Sequence, residues 1–290
     1  MTIDELVKKK IDILETAPED LANAAKKSEL YIWESVLEGI DKFETQDGKI
    51  LVNRKNVSQL YKIIDILKKS INNTDFQEAM KAFISSFDES ATISDRLAKE
   101  IEKGFKPNQV QKDLLQIAKD NAVSTLIGEG LAARLTQPFV ELLTANVSSG
   151  NSLLETRKQL KTFILGSKDA DGRLMANIRT NSGTALAVAD ASYSKAVADQ
   201  VDAQWFRYAG GVIDTTRPFC KERAGKFFHR KEVEAWAKES WAGEIAGTNS
   251  STIFNFRGGW NCRHSLNMVS IVRVPDSVIE RNIANGNYKP

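Results

Sequence analysis

Asp214-Thr-Thr-Arg217-Pro-Phe-Cys220-Lys-Glu-Arg223-Ala-Gly225-Lys226 and, further along, Arg257-Gly-Gly-Trp260-Asn261-Cys262-Arg263-His264 are the stretches on which the reading of the chain turns. They hold both cysteines and one of the two histidines; the other is His229. Cys220, His229, Cys262 and His264 are therefore the candidate soft-metal ligands, the side-chain types that zinc selects in tetrahedral sites of four. Neither stretch is a CxxC, and Cys262-x-His264 can hold one ion only from an extended loop. The same residues also read as reduced thiols packed together, or a disulfide, beside ordinary hydrogen-bonded histidines. A thiolate nucleophile activated by histidine is a further reading.

The surroundings of these stretches are aromatic and basic. Gln204-Trp-Phe-Arg-Tyr208 suits a strand, with Gly210-Gly211 beyond it. Four of the five tryptophans fall between Trp205 and Trp260. Between Arg207 and Lys231 the bases at 207, 217, 221, 223, 226, 230 and 231 outnumber the acids Asp214 and Glu222. Interleaved with Phe219, Phe227 and Phe228, Arg207, Lys221, Arg223, Lys226, Arg230 and Lys231 are candidate contacts for the phosphates of DNA. The competing reading is a solvated basic face with internal ion pairs. Arg217 and Arg263 read as structural: each lies near a cysteine in a Gly/Pro turn, where a guanidinium fork ties loop carbonyls together, and Asp214 is a natural partner for either.

The first 150 residues read as helices. Leu30, Trp33, Val36, Leu37 and Ile40 make one amphipathic face, and Leu60, Ile63, Ile64, Ile66 and Leu67 another, with a turn at Gln46-Asp47-Gly48-Lys49. Thr74 is a candidate N-cap with Gln77 three residues on. A helix follows Pro107 towards Leu126, Pro138 bends or breaks the helix containing it, and Ser148-Ser149-Gly150 closes the region. Further helices are expected over Leu153–Ile164 and the small-residue stretch Met175–Val201, with a polar turn from Gly166 to Gly172. The fold class is α+β: a mainly helical N-terminal region, then a small Cys/His-containing α+β domain. The expected domains are 1–150, a helical bundle for docking partners, 151–270, and a tail, 271–290.

Composition sets the bounds. At 290 residues, 42% hydrophobic and 27% charged, the chain has enough apolar matter for packed cores, and length suggests two domains. A net charge of +2 excludes a dedicated polybasic nucleic-acid protein. The amino end lacks the apolar run of a secretory signal, and no stretch approaches the ~20 apolar residues of a membrane span. Two cysteines do not make a disulfide scaffold, so the chain reads as soluble in a reducing cytoplasm. P-loop, GxGxxG, HExxH and GxSxG motifs are absent from the sequence.

Taken together, Arg179-Thr180-Asn181, the aromatic Trp205–Tyr208, Asp214 to Cys220, Gly225-Lys226 and Asn261-Cys262-Arg263-His264 resemble, in this order, the phage minor head proteins of the Mu F-like head morphogenesis family. The resemblance covers roughly residues 140–270. Asn181 stands where an acid is usual, Arg223 replaces the second cysteine of the family's CxxC, Gly259 replaces a histidine, and His264 replaces the last cysteine. A four-ligand zinc site carried over from the family therefore has to recruit His229. The resemblance implies a non-enzymatic minor structural protein of a tailed-phage head, associated with portal and capsid proteins, acting in head assembly or DNA packaging and ejection. Its location is then the virion, at the head interior or portal vertex, and the host cytoplasm during assembly. A metal-dependent DNA-processing protein is the alternative.

Overall fold

The computed structural model describes residues Met1–Pro290 as an α+β protein that is mainly helical. Six helices fill the amino-terminal half: α1 (Ile3–Ile40), α2 (Arg54–Ile71), α3 (Thr74–Lys99), α4 (Gln109–Leu126), the short α5 (Glu129–Leu131) and α6 (Gln137–Ser148). α7 (Leu153–Leu165) and α8 (Arg173–Gln200) follow. Two antiparallel hairpins interrupt them, β1 (Thr45–Gln46) with β2 (Lys49–Ile50) and β3 (Gly166–Ser167) with β4 (Ala170–Asp171). Asp47 and Gly48 both take positive φ, as a two-residue turn matched to strand twist requires, at the turn the sequence marks.

Local chemistry sets the helix ends. Asn53 accepts the Asn56 amide at the start of α2, and Ser152 accepts that of Glu155 at the start of α7. At α3 the cap is Asn73, not Thr74: Asn73 Oδ1 accepts the Phe76 amide at 3.0 Å, one residue earlier than expected. Pro138 acts as expected in kind. It lacks an N–H and its ring crowds the carbonyl four residues back, and the turn just before α6, Ala132–Thr136, widens to a π-helix. The helix before Gly150 ends at Ser148.

The chain forms two compact units, each discontinuous in sequence. One gathers Met1–Ala17, Ile84–Ala122 and Gly183–Pro290; the other gathers Pro18–Phe83 and Val123–Ser182. A boundary at residue 150 lies inside the second unit, whose segment Val123–Ser182 runs on through it.

The second unit packs Leu21, Ile32, Val36, Ile40, Ile63, Leu67, Phe76, Phe139 and Leu143 into its core. Glu29 is buried in the same helical row as Ala25, Ile32 and Val36, and its Oε1 accepts the Met175 amide at 2.8 Å in the first turn of α8. Burial outweighs that hydrogen bond and raises the carboxyl to about 7.

The first unit contains a buried ionic network. Lys10 Nζ bonds Asp190 Oδ1, Ser94 Oγ and Ser194 Oγ, each at 2.8 Å, using all three ammonium protons. Ser90 donates to Asp190 Oδ1 at 2.6 Å, and Arg257 Nη2 lies 3.4 Å from Asp190 Oδ2. Burial lowers the Lys10 pKa, with the Asp190 carboxylate opposing it.

The same unit contains the carboxy-terminal sheet. β5 (Trp205–Ala209) is its central strand, flanked antiparallel by β6 (Phe227–His229) and β7 (Ser265–Val269). Trp205 opposes His229 and Val269, and Tyr208 opposes Leu266. Around the sheet lie α9 (Pro218–Lys221), α10 (Arg230–Ala235), α11 (Ile253–Phe256) and α12 (Asp276–Ala284). The last residues are packed: Ile271, Val278, Ile279 and Tyr288 cover the cluster of Trp205, Val269 and Val274.

Candidate metal centre

Backbone geometry brings the two marked stretches together. Pro218 opens α9 in its first turn, where a missing N–H costs nothing, and places Cys220 inward. The second stretch turns sharply before β7: Gly258, Gly259 and Asn261 all have positive φ. A Cβ on Gly258 would overlap Cys262 Sγ and reach Cys220 Sγ at 3.1 Å, so only glycine lets the backbone lie against both sulfurs. From Cys262 the chain alternates, burying Cys262 and His264 and exposing Arg263 between them.

Cys220 Sγ, Cys262 Sγ and a ring nitrogen of His264 lie within 4.8 Å of one another, all buried, and this group can hold a metal ion. The sulfurs are 3.8 Å apart and unbonded, and Cys262 Sγ is 3.8 Å from His264 Nδ1. Two sulfurs on a tetrahedral zinc, each about 2.3 Å from the ion, are separated by an edge of about 3.8 Å, so the sulfur pair has the spacing such an ion requires, and imidazole is a donor type it accepts. The thiols divide one ionisation between them. The hydrogen bond from Cys220 and the adjacent His264 lower Cys262, whereas Cys220, donating to it, is raised.

Tyr208, which the sequence reading took only as part of an aromatic strand, belongs to this group. Its hydroxyl lies 3.3 Å from Cys220 Sγ and 3.8 Å from Cys262 Sγ, and its ring stacks on that of His264 at 5.3 Å and 19°. Burial raises its pKa. It is the one phenol among the aromatic residues Trp205, Phe206 and Tyr208 of the expected strand, and that was the available clue.

His229 is elsewhere. It is the N-cap of α10, with Nδ1 accepting the Lys231 amide at 3.2 Å, Glu232 returning a bond to its backbone N–H, and its ring 4.9 Å from Trp205. The structure does not bring it to the cysteines, because the strand register fixes it opposite Trp205 and the helix start claims its ring nitrogen.

The structural-motif residues separate by role. Arg217 forks as expected, Nη1 to the Gly258 carbonyl at 2.9 Å and Nη2 to that of Trp260 at 2.6 Å, and so ties the two stretches together. Its partners are thus carbonyls, and Asp214 lies exposed ahead of α9. Gly225 has φ 80° and donates its N–H to the Tyr208 carbonyl at 2.8 Å. Asn261 adopts the left-handed conformation that asparagine tolerates, and its N–H bonds Thr184 Oγ1 at 3.0 Å.

The basic cluster is largely engaged within the protein. Arg207 pairs with Asp4 at 2.7 Å and Arg230 with Asp199 at 2.7 Å. Arg223, buried, grips Glu239 through bonds of 2.5 and 2.7 Å and lies 3.9 Å over the Phe219 ring. Lys221, Lys226 and Lys231 remain exposed.

No family model, curated protein or solved structure matches this chain. No helix is long and apolar enough to cross a membrane.

Proposed function

We propose that the chain is a minor structural protein of a tailed-phage head, associated with the portal or inner capsid, whose carboxy-terminal module is stapled by a structural zinc ion. One observation carries the reading: the separate sequence elements that resemble the head morphogenesis family, Asp214–Cys220 and Asn261–His264, meet at one buried Cys220/Cys262/His264 group and interlock through the Arg217 fork. Zinc held there neutralises the thiolates and cross-links two loops, a role that needs no access for substrate. The three residues hold the ion; Arg217 fixes the backbone that presents them.

A partner protein has an exposed apolar row to bind on α4, where Val110, Leu114 and Ile117 follow helical spacing with 62%, 37% and 56% of their surface open. Engagement of Arg207, Arg223 and Arg230 in internal ion pairs favours this structural role over a DNA-contact role.

Quantitative mass spectrometry of purified particles tests the location. Copies near the portal number and far below the major capsid count are expected; absence from both heads and mature particles overturns the reading. Elemental analysis of the purified chain tests the metal, with one zinc per chain expected and none for a Cys220→Ser, Cys262→Ser double variant.

A further inference from the structure

The group at Cys220, Cys262 and His264 supplies three protein ligands, whereas zinc sites closed to solvent use four. A water molecule in the fourth place belongs to open, catalytic sites. This one is closed: relative exposures are 2% for Cys220, 6% for Cys262, 7% for His264 and 0% for Tyr208. On one side the Gly258 backbone lies against both sulfurs, and on another Gly210 lies against the His264 ring, where a Cβ would come within 2.5 Å of Cδ2. Tyr208 Oη is a polar atom that reaches both sulfurs, at 3.3 and 3.8 Å. With zinc–sulfur bonds of about 2.3 Å and a zinc–oxygen bond of about 2.0 Å, the tetrahedral sulfur–oxygen edge is about 3.5 Å, between the two observed values.

We propose that Tyr208 is the fourth ligand of this centre, its phenolate oxygen bound directly to the metal in the place the sequence reading gave to His229. The proposal rests on the zinc reading above. On binding, the phenol O–H bond breaks, a metal–oxygen bond forms, and the proton passes to solvent. β5 is well suited to present such a ligand. As the central strand it is hydrogen-bonded on both sides, so Tyr208 is fixed opposite Leu266, two residues beyond His264, with its ring held by the stack on that imidazole.

The experiment is a titration of the metal-free, reduced full-length chain with zinc, following ultraviolet absorbance and proton release together, on wild type and Tyr208→Phe. Wild type is expected to gain the red-shifted tyrosinate band as zinc binds and to release one proton more per ion than Tyr208→Phe, because both forms share the same thiols. Tyr208→Phe is expected to bind zinc more than about 100-fold more weakly in competition with a chelator, beyond the roughly 10–100-fold scale of losing a group that only supports a ligand. Zinc binding without the tyrosinate band, with equal proton release in the two forms, overturns the proposal and leaves Tyr208 as a hydrogen-bond donor to sulfur, the metal reading intact. Failure of wild type to bind zinc overturns both. The wild-type band needs no variant, so a folding defect in Tyr208→Phe does not decide the outcome.

Discussion

Single side chains carry most of the chemistry here. Cys262 touches Cys220, His264 and Tyr208 and lies under Gly258. Cys262→Ser is expected to lower the melting temperature of the zinc-loaded chain strongly, because metal binding and folding are coupled. In the zinc-free chain the cost falls to about 1–3 kcal/mol. Calorimetry with and without chelator checks this, and an unchanged melting curve in both conditions rejects a structural role for the cysteine. Glu29 gives a separate, pH-dependent test. Its folded pKa, about 7, stands above the ordinary 4.5, so the folded chain binds the extra proton. Its contribution is therefore fully present below pH 4.5 and is lost as pH rises through 7. Glu29→Gln keeps an acceptor for the Met175 amide and removes the titration. Relative to this variant, wild type is expected to lose on the order of 2–3 kcal/mol between pH 4.5 and 8 in urea unfolding. Equal pH profiles for the two proteins refute the assignment. At this scale the sequence revealed Cys220, Cys262, His264 and the Arg217 fork, since scarce residue types in glycine-bounded turns have few roles. Tyr208 and the end-capping role of His229 depend on strand register, which spacing along one chain does not encode.

At the scale of elements, hydrophobic period located the helices, and its failures have one cause: apolar residues are not the only ones buried. Reading Leu30 into the face with Trp33, Val36 and Ile40 misplaces it by one residue. Leu30 is 54% exposed, and the acidic Glu29 takes the buried row because its carboxyl group meets the first turn of α8. The α3 cap shows a similar slip, a capping-box pattern at Thr74 drawing the start one residue past Asn73. Asn73→Ala is expected to cost about 1 kcal/mol and Thr74→Ala a few tenths, a difference that urea unfolding resolves. The reverse order would restore Thr74 as the cap. The sheet was half legible: the aromatic run Trp205–Tyr208 announced the central strand, but β7, buried at all five positions, offers no alternation to read.

The whole molecule is organised in a way the sequence does not disclose, since contacts between residues far apart in sequence leave no local pattern. Residues 151–270 were expected to form a domain apart from 1–150. Residues 151–182 belong to one unit and 183–290 to the other, which also takes in Met1–Ala17 and Ile84–Ala122, and Asp190 of α8 binds Lys10 and Ser90 from those segments. Residues 151–290 alone are therefore expected to lack a cooperative unfolding transition, and a sharp one in calorimetry counts against this. Within the full chain, Asp190→Asn leaves Lys10 and Arg257 without their shared counter-ion and is expected to cost about 3–5 kcal/mol in urea unfolding. Lys10→Met is milder, because Asp190 keeps Arg257 and Ser90. Equal costs for the two would remove Asp190 from the centre of the network. The same pairing puts the molecule on a clock during synthesis. Lys10 leaves the ribosome long before Asp190 is translated, a wait of roughly 10–40 s at ordinary elongation rates. Until then Ile3, Leu6, Val7, Ile13 and Leu14, all buried in the finished protein, have no completed unit to enter. This segment is made well before its partners yet is among the last to find its place, and a nascent-chain chaperone has that interval in which to hold it.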